Sequence, residues 1–106
     1  MKVRVREFVT AGGAAPYREW LLEFDRVTPA RIQARVLRFE DANFGDVRSV
    51  GGGVLEARVM FGAGYRIYFG RHRVALVLLL VGGSKASQTR DIRLAQVYWR
   101  EYLGGK

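Results

Sequence analysis

Apolar residues recur every three to four positions in the first half of the chain and every second position from Val54 onward, which divides it into a helical part and a sheet part. Val3, Val5 and Glu7 alternate with Arg4, Arg6 and Phe8, a short first strand closed by the loop Thr10-Ala11-Gly12-Gly13. Pro16 suits a first helical turn, and Tyr17, Trp20, Leu21 and Phe24 share one helical face, so a short helix is predicted from about Ala15 to Asp25. Thr28-Pro29 reads as a cap followed by a proline at the first helical position. Ile32, Val36 and Phe39, with Leu37 beside them, carry a second helix to about Ala42. Arg31, Arg35 and Arg38 fall on its opposite side, read first as a solvated face and second as a surface for RNA or an acidic partner.

From Asn43 to Gly53 the chain is too rich in glycine for helix or strand and is read as a loop between the two halves. It is not a phosphate-binding P-loop, because Val54 and Leu55 follow the last glycine where that motif needs a lysine and a hydroxyl. Leu55, Ala57, Val59 and Phe61 then alternate with Glu56, Arg58 and Met60. After Gly62-Ala63-Gly64, Tyr65, Ile67 and Phe69 alternate with Arg66 and Tyr68. A three-residue connection predicts a hairpin in which Phe61 faces Tyr65, Val59 faces Ile67, and Arg58 lies opposite Tyr68 with Arg66 beside them. One face becomes an apolar floor for the helices. The other gathers Glu56, Arg58, Arg66 and Tyr68.

Arg71-His72-Arg73 reads as a tight connection, and the aliphatic run from Val74 to Val81 is expected for a central strand covered on both faces. Beyond Gly82-Gly83-Ser84, the positions Ile92, Ala95, Val97, Trp99 and Leu103 suggest a C-terminal helix ending at Gly104-Gly105. The fold class is therefore α+β: one domain over residues 1–106, ordered strand, two helices, three strands, helix. It has an antiparallel sheet of about four strands with the helical pair on one face.

Composition narrows the chemistry. Eighteen Lys and Arg against ten Asp and Glu give a net charge of +8, which favours a nucleic acid, an acidic protein, or both as partner. Nearly all the cations are arginines, whose planar guanidinium suits bidentate phosphate contact and stacking on bases; codon usage accounts equally for that ratio, but not for the net charge. With no cysteine and a single histidine, the chain lacks the residues for disulfides or thiolate zinc sites, and no metal or other cofactor is expected. His72 has an arginine on each side and reads as a solvated turn residue. No apolar run is long enough to span a bilayer, and the start lacks the apolar stretch of a secretion signal, so a cytoplasmic location is expected.

The series Gly51-Gly52-Gly53-Val54-Leu55-Glu56-Ala57-Arg58, Gly64-Tyr65-Arg66-Ile67-Tyr68, Leu78 to Lys85 and Asp91-Ile92-Arg93-Leu94-Ala95, with Ala42-Asn43-Phe44-Gly45-Asp46 upstream, resembles the HigB-like "addiction module killer protein" branch of the RelE/ParE toxins. The resemblance implies a toxin of a type II toxin-antitoxin system: a metal-independent, ribosome-dependent mRNA endoribonuclease whose open sheet face receives the message. In the family's proposed chemistry the RNA 2′-hydroxyl attacks the adjacent phosphate, leaving a cyclic phosphate and a free 5′-hydroxyl. On this sequence it implies Arg58, Arg66 and Lys85 as catalytic, stabilising the phosphorane charge, and Tyr68, Glu56, Arg48 and Gln88 as RNA-binding. The implied partners are a helix-turn-helix antitoxin encoded downstream, mRNA on the ribosome, and operator DNA through the antitoxin complex. Several relatives place a histidine or tyrosine near the chain's end as acid or base; here Ala86-Ser87-Gln88-Thr89 has neither, and the general base is unassigned. Two alternatives stay open: a gyrase-poisoning toxin of the ParE kind without RNase activity, and a non-enzymatic module that binds antitoxin and DNA.

Overall fold

The structure is a computed structural model describing residues 2–104. Its strands are β1 (Arg4–Glu7), β2 (Val47–Gly51), β3 (Val54–Val59), β4 (Tyr65–His72) and β5 (Leu76–Gly83), and its helices are α1 (Pro16–Leu21), α2 (Val27–Leu37) and α3 (Gln88–Gly104). The strands form one sheet in the order β1-β5-β4-β3-β2, antiparallel throughout except that β1 lies parallel to β5. The α+β class stands as read, with five strands in place of about four and a mixed sheet in place of an antiparallel one.

The added strand is β2, inside the stretch whose glycines marked it as loop. Gly51, Gly52 and Gly53 have φ of 92°, 64° and 84°, a left-handed run that residues with a Cβ adopt poorly, and they fold β2 back onto β3. As an edge strand with a bulge between Ser49 and Gly51, β2 leaves much of its surface exposed and carries no clean alternation.

In the β3–β4 hairpin Val59 pairs with Tyr65, Ala57 with Ile67, Arg58 with Arg66 and Glu56 with Tyr68. The connection is residues 60–64, two longer than the sequence suggested. A slip of two residues keeps every side chain on its expected face, whereas a slip of one would have inverted the sheet. Its chemical consequence is that Arg58 lies opposite Arg66, and Glu56 takes the position opposite Tyr68.

Each face has its own core. Tyr17, Trp20 and Leu21 of α1 with Ile32, Val36 and Phe39 cover Ala57, Val59, Ile67, Phe69, Val77 and Leu79. On the other face Ala95 and Trp99 of α3 cover Val54, Tyr68, Leu78, Leu80 and Val81. A register shift between β4 and β5 leaves Leu80 without a strand partner and sends Leu80 and Val81 to the same side, so β5 is apolar in sequence without interruption. The face that the sequence left open for RNA is thus roofed over its middle by α3; among the described residues, exposed positions remain on it near the α3 N-terminus and along β1, where Arg4 and Arg6 alternate with the core-facing Val3 and Val5.

Several boundaries move for local reasons. Helix α1 stops at Leu21. Helix α2 begins at Val27, where the Asp25 carboxylate accepts from the backbone N–H of Val27 (3.2 Å) and Thr28 (3.4 Å), so Asp25 rather than Thr28 supplies the cap. It passes into a 3₁₀ turn over Arg38–Asp41 that ends at Ala42 with φ 60°. Strand β4 continues through His72, whose Nδ1 lies 3.0 Å from the Tyr102 hydroxyl and whose ring meets Trp99 edge-on. The histidine therefore packs against α3 instead of occupying a solvated turn. In α3, Val97 and Leu103 face outward; Gly105 lies outside the described residues.

Two indoles clamp the sheet from opposite sides, each lying on a glycine. A Cβ added at Gly82 would fall 2.2 Å from ring carbons of Trp20, and one at Gly70 would fall 2.4 Å from ring carbons of Trp99. Gly70→Ala is expected to lower the unfolding free energy by about 1–3 kcal/mol in urea titrations through overpacking. An unchanged midpoint would mean that Trp99 does not rest on the strand.

Candidate functional site

At the free end of the α3-covered face, Glu56 sits in the middle of β3 with none of its surface exposed. A buried carboxylate is costly unless its oxygens are paired, and four side chains answer it. Arg48 Nε of β2 donates to Oε1 at 2.8 Å; the Tyr68 hydroxyl of β4 and the Gln88 amide of α3 each donate to Oε2 at 2.9 Å. Arg66 Nε stands 3.6 Å from Oε2 as an ion pair. Burial pushes the Glu56 pKa up, but hydrogen bonds from Arg48, Gln88 and Tyr68 with the Arg48 charge outweigh it, and the net shift is downward. Burial, then the Glu56 hydrogen bond and charge, push the Tyr68 phenol well above its ordinary value, so it stays a protonated donor.

Arg66 is only 7% exposed; its Nη1 donates to the Gly64 carbonyl at 2.6 Å, while Nε has no hydrogen-bond partner. Lys85 stands over the same hairpin end, with its Cβ close to Gly64, and its exposed side chain makes no hydrogen bond or ion pair among the described residues. Behind it lies a second buried carboxylate that the sequence reading did not single out. Asp91, 2% exposed, accepts from the Ser87 hydroxyl and packs so tightly on β5 that a Cβ at Gly83 would lie 1.7 Å from its Oδ2. The signal was available as Ser87 one helical turn before Asp91, a few residues after the glycine pair Gly82-Gly83.

Of the seven residues read from the sequence, Arg48, Glu56, Arg66, Tyr68 and Gln88 form one connected cluster and Lys85 borders it. Glu56 and Tyr68, read from the sequence as facing RNA, are wholly out of solvent in this fold, and both hydrogen-bond within the cluster. Arg58 turns away: its Nε pairs with Asp46 Oδ2 at 3.2 Å on the β2 side.

Arg35 also departs from its reading as part of a solvated helix face. It is 6% exposed, its Nε donates to the Arg58 carbonyl (3.2 Å) and an Nη to the Asp46 carbonyl (3.4 Å), and burial with the neighbouring Arg38 charge depresses its pKa. Gly45, with φ 66°, is required beside it, since a Cβ there would sit 2.9 Å from the guanidinium.

Among the described residues no group of three or more His, Cys, Asp or Glu side chains is placed to hold a metal ion, and no helix is long and apolar enough to cross a membrane. No family model matches the chain. Over 83 residues it is 40% identical to an uncharacterized protein of Haemophilus influenzae, an alignment covering 77% of this chain and 84% of that protein.

Because its folded-state pKa is depressed, Glu56 contributes stability that is fully present above its unfolded value, near 4.5, and is lost as pH falls through the folded value. Glu56→Gln leaves two arginines facing a neutral amide and is expected to cost about 1.5–3 kcal/mol at pH 7. In unfolding titrations the gap between wild type and variant should close in acid below that value. A gap independent of pH would show that the carboxylate is not ionised in the fold.

Proposed function

The chain belongs to the family of the uncharacterized Haemophilus influenzae protein, and for this chain we propose the activity of a RelE/ParE-type toxin: an antitoxin-controlled, metal-independent endoribonuclease that cuts mRNA on the ribosome in the cytoplasm. The observation that carries the reading is the joining of Arg48 and Arg66 through one buried carboxylate, with the unpaired Lys85 at the border of the same hairpin end. Fixed cations at one end of a sheet suit a reaction whose difficulty is the extra negative charge on a phosphorane.

In the proposed step the RNA 2′-oxygen forms a bond to phosphorus as its proton leaves, the bond from phosphorus to the 5′-oxygen breaks, and that oxygen takes up a proton. Lys85 and the outward edges of Arg48 and Arg66 balance the phosphorane charge. Glu56, too buried and too acidic for a proton acceptor near neutral pH, is a positioning residue that holds both guanidinium groups in place, and Tyr68 and Gln88 hold Glu56. The antitoxin, expected as a helix-turn-helix protein, silences the toxin by covering this end or the helical pair, and brings the complex to operator DNA.

One observation favours a second reading. Arg66 is almost wholly buried and committed to Glu56 and Gly64, as a purely structural arginine would be. In that case the cluster stiffens the sheet of a non-enzymatic module that binds antitoxin and DNA.

Induced expression of wild type beside Lys85→Ala and Arg66→Ala, following growth while mapping mRNA 5′ ends, separates the readings. Lys85 is exposed, so its loss spares the fold, and removing one cation from the phosphorane is expected to slow cleavage about 10²- to 10³-fold. Growth arrest with new RNA ends, both lost in the variants, supports the nuclease. Arrest without RNA cleavage points to gyrase poisoning, and no arrest to the binding module.

A further inference from the structure

We infer that the protein holds RNA over a longer stretch than the cleaved step, the strand running from the Arg66–Lys85 end of the sheet into a separate arginine groove between α2 and the end of β3. The inference rests on the nuclease reading above and deepens it by assigning the substrate as an extended single strand with a defined path.

The groove is lined by Arg31, Arg35, Arg38 and Arg58, with Phe61 at its lip and Asp46 as the acid beside them. Asp46 already pairs with Arg58, and the buried Arg35 is met by two backbone carbonyls, with its Nη1 left without a hydrogen-bond partner. Four cations against one carboxylate leave an uncompensated positive field, and such a field is suited to a phosphodiester backbone.

Arg58 joins the groove to the proposed active end. It lines the groove, and it is the cross-strand partner of Arg66 in the β3–β4 hairpin. Residues directly opposite in an antiparallel pair have Cβ atoms about 4.5–5.5 Å apart on the same face, and because the Arg58 guanidinium turns from there to Asp46, its side chain leads from the Arg66 position into the groove. The apolar surface needed for bases lies at the same lip. Met60 is 86% exposed, and the Arg31 guanidinium lies 4.6 Å from the centroid of the Phe61 ring. Unpaired bases stack on such guanidinium and aromatic planes without sequence preference, which single strands offer and duplexes do not.

The test measures binding of a short and a long 2′-O-methyl RNA, which resist cleavage, to wild type and to Arg31→Gln/Arg38→Gln, whose two arginines are exposed and outside the proposed catalytic cluster. Cleavage of a message in a translation mixture is followed in parallel. Wild type is expected to bind the long oligonucleotide more tightly than the short one. The variant should lose that advantage, with the slope of log affinity against log salt reduced by about 0.7 for each phosphate contact removed, while messages are still cut. Equal length dependence in wild type and variant, with cleavage intact, overturns the groove and leaves the nuclease reading standing. Failure of wild type to bind either RNA or to cleave removes both. Loss of poly-glutamate binding in the variant, with RNA affinity unchanged, overturns the inference and assigns the groove to an acidic protein partner.

Discussion

An ionised carboxylate buried inside a sheet has to be met on its remaining sides, and Glu56 is where this fold meets that demand. Its partners come from β2, β4 and α3, so one charge ties together three elements that the chain reaches before and after it. Remove the carboxylate and Arg66, itself nearly buried, loses its ion-pair partner and keeps the Gly64 carbonyl as its hydrogen-bond acceptor. The same carboxylate fixes the geometry of the sheet end beside the α3 N-terminus. The stability and the charge arrangement of that end therefore depend on one side chain.

The rest of the architecture leaves this end free and closes the middle of the sheet. Trp99 and Ala95 hold α3 down over β4 and β5, while Trp20 and its neighbours hold α1 and α2 to the opposite face, each indole resting where a strand has no side chain. Gln88 starts α3 beside the carboxylate, and Asp91, three residues on, anchors the same turn of helix to Gly83. The helix that roofs the sheet thus also contributes a hydrogen bond to the site.

The parts of this legible in the sequence were those set by short-range period. The two faces of the hairpin were readable because alternation survives a two-residue error in loop length. Helix α3 and the two-sided burial of β5 followed from apolar spacing alone. What escaped depended on distant chain. Strand β2 gains its pairing only when β3 folds back through three glycines, and its own five residues carry too little pattern to announce it. Arg35 looked solvated on a helical wheel because the segment around Gly45 and Asp46 that buries it lies ten residues downstream. For the candidate site, alternation along the hairpin placed Glu56, Arg66 and Tyr68 on one face, but not their arrangement: nothing local distinguishes a solvated Glu56 from a buried one.

Carboxyl carbon NMR, following Glu56 through an acid titration, tests the account most directly. An ionised, multiply hydrogen-bonded carboxylate should titrate below the ordinary glutamate range, and the Tyr68 and Gln88 signals should move with it. A Glu56 that titrates at or above the ordinary value, independently of Tyr68 and Gln88, would contradict the account, because the arginines would then have no fixed anion to hold them.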